Sequence, residues 1–171
     1  MKIMKKITLL LVFIGMITLQ SCTVNEVRDD VDNDTISEVI QVTRSFNSGN
    51  GFSTFVNFGA PIYSSDMILV YHLYDVVGGQ SVWRLMPQTY YLNDGGELDY
   101  NFDFTRYDVN IFLDANFPLT SLSPVWTQNQ TFRIVIIPGY FSNRNAQHVD
   151  FNDYNAVIEA YGINPTSIKK L

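Results

Sequence analysis

Few side chains in this sequence could act as a nucleophile, a base or a metal ligand. It has two histidines and a single cysteine. His72 lies in an apolar, β-favouring segment, where we expect a structural or edge-facing imidazole, and His148 lies in a polar stretch, where we expect an exposed one. Serine-hydrolase, zinc-protease, phosphate-loop and Cys-x-x-Cys motifs do not occur, and two histidines cannot form a three-histidine metal site. The sequence therefore predicts no metal site, no cofactor and no enzyme activity.

Carboxylates are the alternative source of chemistry, because a pair of them can serve as acid and base. Asp99 and Asp103 are four residues apart. On a strand this spacing separates them by about 13 Å, which is too far to share a water, so we expect both on the solvent face of a hairpin. Asp108, Asp114 and Asp153 could meet only through folding. A carboxylate-dependent envelope hydrolase therefore stays open as the alternative function.

Aromatic residues make up 14% of the chain and favour binding over catalysis. Trp and Tyr offer large, stiff surfaces with a polar tip, which can stack on sugar rings or anchor a protein. Trp83, Trp126 and Tyr140 are the candidate ligand contacts. We expect Trp126 and Tyr140, which are in or beside loops, to be exposed. For any single ring, however, the favoured interpretation is that a sandwich without disulfides fills its core with aromatics.

The only cysteine, Cys22, follows an export signal. A basic start precedes the apolar run Ile7–Leu19, which is too short to span a bilayer. The stretch LQSC that ends at Cys22 resembles the lipobox of bacterial lipoproteins. This resemblance implies a signal peptide over residues 1–21 and acylation of Cys22, which leaves no cysteine for a disulfide. We expect a lipoprotein of the outer membrane, facing either the periplasm or the cell surface.

The rest of the chain is acidic. The sequence has 17 acidic and 11 basic residues and a net charge of −6, and loss of the three lysines in the signal peptide would leave −9. Residues 22–35 are polar, acidic and without apolar periodicity, so we expect a flexible tether there. Because an acidic protein repels phosphates, we expect no nucleic-acid partner.

From position 36 onward, apolar and polar residues alternate with the period of a strand. Turn signals such as Gly78-Gly79 separate the strand-like segments. The segment 67–76 is almost entirely apolar, so we expect a central strand covered on both faces. By contrast, 117–130 contains two prolines and many polar residues, and we expect a crossing loop.

Near the C-terminus, N-cap candidates around Asp153, apolar residues at helical spacing and Gly162 predict one short helix. The predicted fold is therefore all-β. It is a single domain over residues 36–171, an antiparallel β-sandwich or jelly-roll-like body of about eight strands with one short C-terminal helix.

Four stretches of the domain resemble a family of small uncharacterised Bacteroidetes lipoproteins. They are FNSGNGF at 46–52, WRLMPQT at 83–89, DVNIFLD at 108–114 and TQNQTFR at 127–133. Some relatives carry a collagen-like segment between the cysteine and the domain, where this chain has its acidic tether. The resemblance implies a location and a fold type but no activity.

These features together predict a lipid-anchored cell-envelope lipoprotein of unknown biochemical function. Its domain is expected to be a non-enzymatic binding or structural module. Its expected partners are the membrane, through acylated Cys22, and a protein or a glycan.

Overall fold

The computed structural model describes residues 37–139 and 149–171 of the chain. The predicted signal peptide, the tether with Cys22, Tyr140 and His148 lie outside these residues. The described part contains nine strands, one more than expected: β1 (Glu38–Arg44), β2 (Ser53–Asn57), β3 (Met67–Val77), β4 (Gln80–Leu85), β5 (Gln88–Tyr91), β6 (Glu97–Phe104), β7 (Asp108–Ala115), β8 (Gln130–Ile137) and β9 (Lys169–Lys170). It also contains the helices α1 (Pro124–Thr127) and α2 (Tyr154–Ala160) and two 3₁₀ turns, Ser48–Asn50 and Leu119–Ser121.

The strands form two sheets. Sheet A has the order β4-β3-β8-β1-β9, and sheet B has the order β2-β7-β6-β5. The short β9 pairs in parallel with β1, and the other pairs within the two sheets are antiparallel. Two of the pairs join distant parts of the chain, β1 with β8 and β2 with β7. In the sequence, β2 and β7 both lie between β1 and β8. The pairs β3–β4, β5–β6 and β6–β7 are hairpins.

The two sheets face each other across one apolar core, which confirms the predicted all-β sandwich. Both sheets contribute fully buried side chains to this core, among them Ile40, Val70 and Ile134 from sheet A and Val56, Tyr100 and Ile111 from sheet B. The alternation along β2 shows how the sequence directs this packing. Val56 and Phe58 are buried, while Phe55, directly before Val56, is 66% exposed.

The β3–β4 hairpin turns at two glycines, as predicted. Gly78 and Gly79 have φ angles of +60° and +81°. Two successive left-handed residues are what a tight type I′ turn requires, and glycine adopts them without a steric penalty. The β6–β7 turn is closed differently, because the Thr105 N–H donates to the Asp108 carbonyl at 2.9 Å and the Thr105 hydroxyl donates to the Asp108 carboxylate at 2.6 Å.

Strand β3 is covered on both faces only over its first half. Residues 68–72 are all buried, but Tyr74, Val76 and Val77 are exposed. The prediction of a strand buried throughout was wrong, because β8 pairs with β3 only as far as His72. Beyond that point β3 extends past the sandwich with β4 as its only partner strand in the described chain.

The segment 117–130, expected to be a crossing loop, does cross from sheet B to sheet A but carries helical turns. Helix α1 has Pro124 at its first position, where the missing N–H of proline leaves no helical bond unmade. The N–H of Gln128 donates to the Pro124 carbonyl at 2.8 Å and ends the helix. Of the two prolines that predicted a loop, Pro124 therefore begins a helix and Pro118 directly precedes a 3₁₀ turn.

The C-terminal segment forms a third layer on the outer face of sheet A. Helix α2 begins after Asp153, whose carboxylate accepts from the backbone N–H groups of Asn155 and Ala156 at 2.9 and 3.2 Å. Gly162 follows the helix with a φ of +60°, so the predicted short helix is confirmed. This layer shares an apolar cluster with the sheet, in which Tyr154, Val157, Tyr161 and Ile163 pack with Val39, Leu69, Tyr71, Val135 and Ile137.

Candidate functional site

His72 lies in the core between the two sheets and is 3% exposed. Its Nε2 is 2.9 Å from Oε1 of Gln130, and its Nδ1 is 3.1 Å from the hydroxyl of Tyr90. The Gln130 amide nitrogen donates to the carbonyls of Val125 and Gln128, so the amide oxygen faces the ring. Nε2 therefore carries the proton, and Nδ1 accepts from Tyr90. A neutral imidazole with both nitrogens bonded is a structural group, as the sequence predicted.

Aromatic rings enclose the same imidazole. It stacks at 24° on Tyr100 and on Phe132, with ring centroids 4.4 and 5.0 Å away. Burial lowers the pKa of His72 from 6.5 to about 4, against the opposing effect of the Gln130 hydrogen bond. Burial also raises the pKa of Tyr100, whose hydroxyl donates to the Trp126 carbonyl. His72 is therefore placed to hold the two sheets together and not to take a proton from a ligand.

Trp126 borders an open cleft at one end of sheet B. It lies in α1 and is half-buried, with its ring 5.1 Å from that of Tyr90. The expectation that Trp126 is exposed in a loop was thus only partly met, because one side of the ring packs against the core. The residues that line the cleft, of about 450 Å³, are Tyr91, Leu92, Asn93, Asp94 and Trp126, and we call it the Trp126 cleft.

Tyr91 gives the Trp126 cleft an exposed aromatic ring. Because side chains alternate along β5, Tyr90 turns into the core and is 6% exposed, while Tyr91 turns outward and is 78% exposed. The adjoining turn holds the polar residues in place, since Leu92 N–H donates to the Gly96 carbonyl at 2.7 Å and Gly96 N–H donates to Oδ1 of Asp94 at 3.2 Å. Sequence reasoning missed Tyr91, because two adjacent tyrosines do not reveal which one faces outward.

Trp83 lies on the outer face of sheet A, beside α2, and is half-buried. The guanidinium of Arg133 lies over its ring at 4.2 Å and over the ring of Tyr154 at 4.9 Å. Nε of Arg133 donates to the side chain of Gln41 at 3.0 Å. Such cation–π contacts stabilise the packing of α2 on the sheet. Trp83 also borders a second cleft, of about 400 Å³, so it has both a packing contact and an accessible edge.

The structure does not bring Asp108, Asp114 and Asp153 together. Asp108 and Asp114 stand at opposite ends of β7, about 20 Å apart at 3.3 Å per residue. Asp153 caps α2, which packs on the far side of sheet A. Asp114 instead lies opposite Asp99 on the neighbouring strand β6. The sequence could not indicate this pair, because it depends on the register of two strands.

In residues 37–139 and 149–171, no group of three or more His, Cys, Asp and Glu side chains is placed to hold a metal ion. No helix in these two ranges combines the length and the hydropathy that crossing a membrane requires. Comparisons of the chain with protein-family models, with curated proteins and with solved structures each find no match. The role of the Trp126 cleft is therefore inferred from its own geometry.

Proposed function

We propose that this chain is a lipid-anchored module of the cell envelope that binds a glycan without hydrolysing it. Acylated Cys22 holds it at the outer membrane, and residues 22–35 separate the domain from the lipid. The observation that supports binding is the Trp126 cleft, where an exposed tyrosine and a half-buried tryptophan lie beside an amide and a carboxylate.

The Trp126 cleft offers both kinds of group that a sugar requires. The C–H face of a sugar ring can pack on an aromatic ring, and Tyr91 presents such a ring to solvent. Sugar hydroxyls donate and accept hydrogen bonds. The Asn93 amide can do both, and Asp94 has a second carboxylate oxygen beside the one that accepts from Gly96. The volume lies in the range of roughly 300–1,000 Å³ that is typical of small-molecule sites.

The carboxylates support binding over hydrolysis. A glycosidase places its two carboxyl groups on either side of the scissile bond. Asp99 and Asp114 project side by side from one face of sheet B, and the Thr89 hydroxyl donates to Asp99. The Trp126 cleft itself is lined by a single carboxylate, that of Asp94, whereas the usual glycosidase mechanism uses two.

The anchor is tested with the full chain in its native host. We expect the wild type to be cleaved before Cys22, to gain the mass of acyl chains and to sediment with the outer membrane. A Cys22→Ala variant should do none of these, whereas a Thr23→Ala control should behave as the wild type does. If wild type and Cys22→Ala are equally soluble, the lipid anchor is refuted.

Glycan binding is tested by screening the mature chain on immobilised polysaccharides and then comparing two exposed tyrosines. Tyr91→Ala should weaken binding about fivefold or more, because it removes the stacking ring. Tyr107→Ala is the matched control. Tyr107 is 59% exposed but lies at the other end of β6, roughly 25 Å away.

Three outcomes would overturn the binding proposal: retention of no polysaccharide by the wild type, equal weakening by the two tyrosine variants, or turnover of the bound glycan. Chromatography of the glycan after incubation detects turnover. If turnover occurs and Asp114→Asn abolishes it, the chain is a carboxylate-dependent hydrolase instead.

A further inference from the structure

In the described ranges of the chain, no segment packs on the outer face of sheet B, and this surface has a strong negative charge. Alternation along the strands directs the carboxylates of Glu97, Asp99 and Asp103 on β6 and of Asp108 and Asp114 on β7 away from the core. The four strands of the sheet contain no Lys, Arg or His. We call this surface the acidic face. Within it, no cationic side chain of the sheet compensates the negative charge.

Two phenylalanines lie among these carboxylates. Phe55 on the edge strand β2 is 66% exposed, and Phe112 on β7 is half-buried. Neither belongs to an apolar core cluster. The backbone register places Phe55 opposite Asn110, which in turn lies opposite Asp103. Aromatic residues, Phe among them, are enriched at protein interfaces, where such rings serve as anchors.

The chain's own tether is a poor occupant of this surface. Residues 22–35 contain five acidic residues and one arginine, so they have the same sign of charge as the acidic face. Like charges at a contact cost free energy, whereas complementary charges speed association and select the partner. The charge therefore favours an occupant from outside the chain with a cationic surface.

We infer that the acidic face docks an arginine- or lysine-rich segment of a second protein. Arginine suits both features of the face, because its guanidinium binds carboxylates and also stacks on aromatic rings. An extended basic segment that follows β6 presents every second side chain to the face. Glu97, Asp99 and Asp103 occupy three of the four outward positions of β6 at the same period, and Asn101 occupies the fourth. Glu97 lies opposite Tyr91, so the acidic face adjoins the Trp126 cleft, but Asp103 and Asp114 do not line that cleft and can be tested separately from it.

The test uses the full mature chain in detergent and a fluorescent oligoarginine peptide, with the dissociation constant measured by anisotropy. The double variant Asp103→Asn, Asp114→Asn removes two charges from the acidic face. The control, Glu38→Gln, Glu159→Gln, removes two exposed charges from sheet A and α2. We expect the first to raise the dissociation constant about fivefold or more and the control to change it about twofold or less.

A Phe55→Ser variant should weaken binding without altering its salt dependence, because it removes a stacking contact and no charge. Equal effects of the two charge variants would overturn the inference, since binding would then follow net charge alone. Absence of peptide binding at low salt would also overturn it. The inference would also be overturned if the wild type forms a dimer that dissociates in the Asp103→Asn, Asp114→Asn variant, since the occupant of the acidic face would then be a second copy of the chain.

Glycan binding at the Trp126 cleft should be unchanged in these variants, so the two proposals can fail separately.

Discussion

His72 is the polar residue on which the packing between the sheets depends most directly. Its two nitrogens join Tyr90 of sheet B to Gln130 of sheet A, and its ring stacks on Tyr100 and Phe132. A buried polar group contributes to stability only while its partners remain in place. The His72 cluster therefore specifies how the two sheets face each other, and it makes this packing sensitive to protonation.

Acid should destabilise the fold through His72. The pKa of His72 is about 4 in the folded chain, whereas the ordinary pKa of a histidine side chain is 6.5. Between these pH values the unfolded chain binds a proton that the folded chain does not, so the free energy of unfolding falls as the pH falls from 6.5 towards 4. The slope contributed by one such group is at most about 1.4 kcal/mol per pH unit. Urea unfolding at pH 7, 6 and 5 measures it.

A His72→Phe variant is the control for this prediction. It keeps an aromatic ring in the stack but cannot titrate, and it leaves Tyr90 and Gln130 without their partner. We expect it to be less stable at pH 7 by about 1–3 kcal/mol and to lose the His72 contribution to the slope. If the variant keeps the full wild-type slope between pH 6.5 and 5, another group controls the acid sensitivity.

At the same scale, Tyr90 and Tyr91 show what the sequence could not reveal about the site. Two neighbouring tyrosines on a strand must point to opposite faces, but the sequence does not tell which faces the core. Pairing of Tyr90 with Leu98 and of Tyr91 with Glu97 decides it, because Leu98 is fully buried. The residue type alone identified Trp126 as a candidate ligand contact, whereas the identification of Tyr91 required the register between β5 and β6.

At the scale of elements, α2 depends on its N-terminal cap. It has seven residues, which is too short for a stable isolated helix, so capping and packing maintain it. An Asp153→Ala variant removes the acceptor for two backbone N–H groups and should lower the free energy of unfolding by about 1 kcal/mol. Chemical denaturation measures this change. Glu159→Ala, at an exposed site in the same helix, should have a clearly smaller effect, and equal effects of the two would argue against the cap.

The elements that the sequence predicted correctly are those whose signal is local. The β3–β4 turn needs only its two glycines, and α2 needs only a cap, helical spacing and Gly162. The incorrect predictions concern features set by distant partners. The exposed end of β3 depends on where the antiparallel β8 begins, and β9 forms because residues 169–170 return to pair with β1. No local pattern carries that information.

At the scale of the whole molecule, sheet A is an inner layer and sheet B an outer one. The C-terminal segment covers one face of sheet A, while the outer face of sheet B stays open to solvent. This asymmetry follows from the side chains. The covered face of sheet A presents apolar residues such as Leu69 and Ile137, and the open face of sheet B presents carboxylates.

Removal of the third layer should therefore impair the whole fold. A chain that ends at residue 139 uncovers Leu69, Tyr71 and Ile137, and each buried side chain of this size contributes about 1.5–3 kcal/mol. We expect this truncated chain to bind a hydrophobic dye and to melt at a clearly lower temperature. A chain that ends at Thr166 lacks only the residues around β9 and should stay close to the wild type. Similar dye binding by both truncations, or by neither, would refute a covering role for α2.

The two lysines of β9 affect whether the edge of sheet A can pair with a strand of another copy. An unpaired strand is a template on which a further strand can add, and β1 without β9 would offer seven residues of open backbone. Lys169 and Lys170 close part of that edge, and their ammonium groups repel the same edge of another copy. This repulsion works against the addition of one copy's strand to another's edge, which is the first step by which a sheet grows from copy to copy into a fibril.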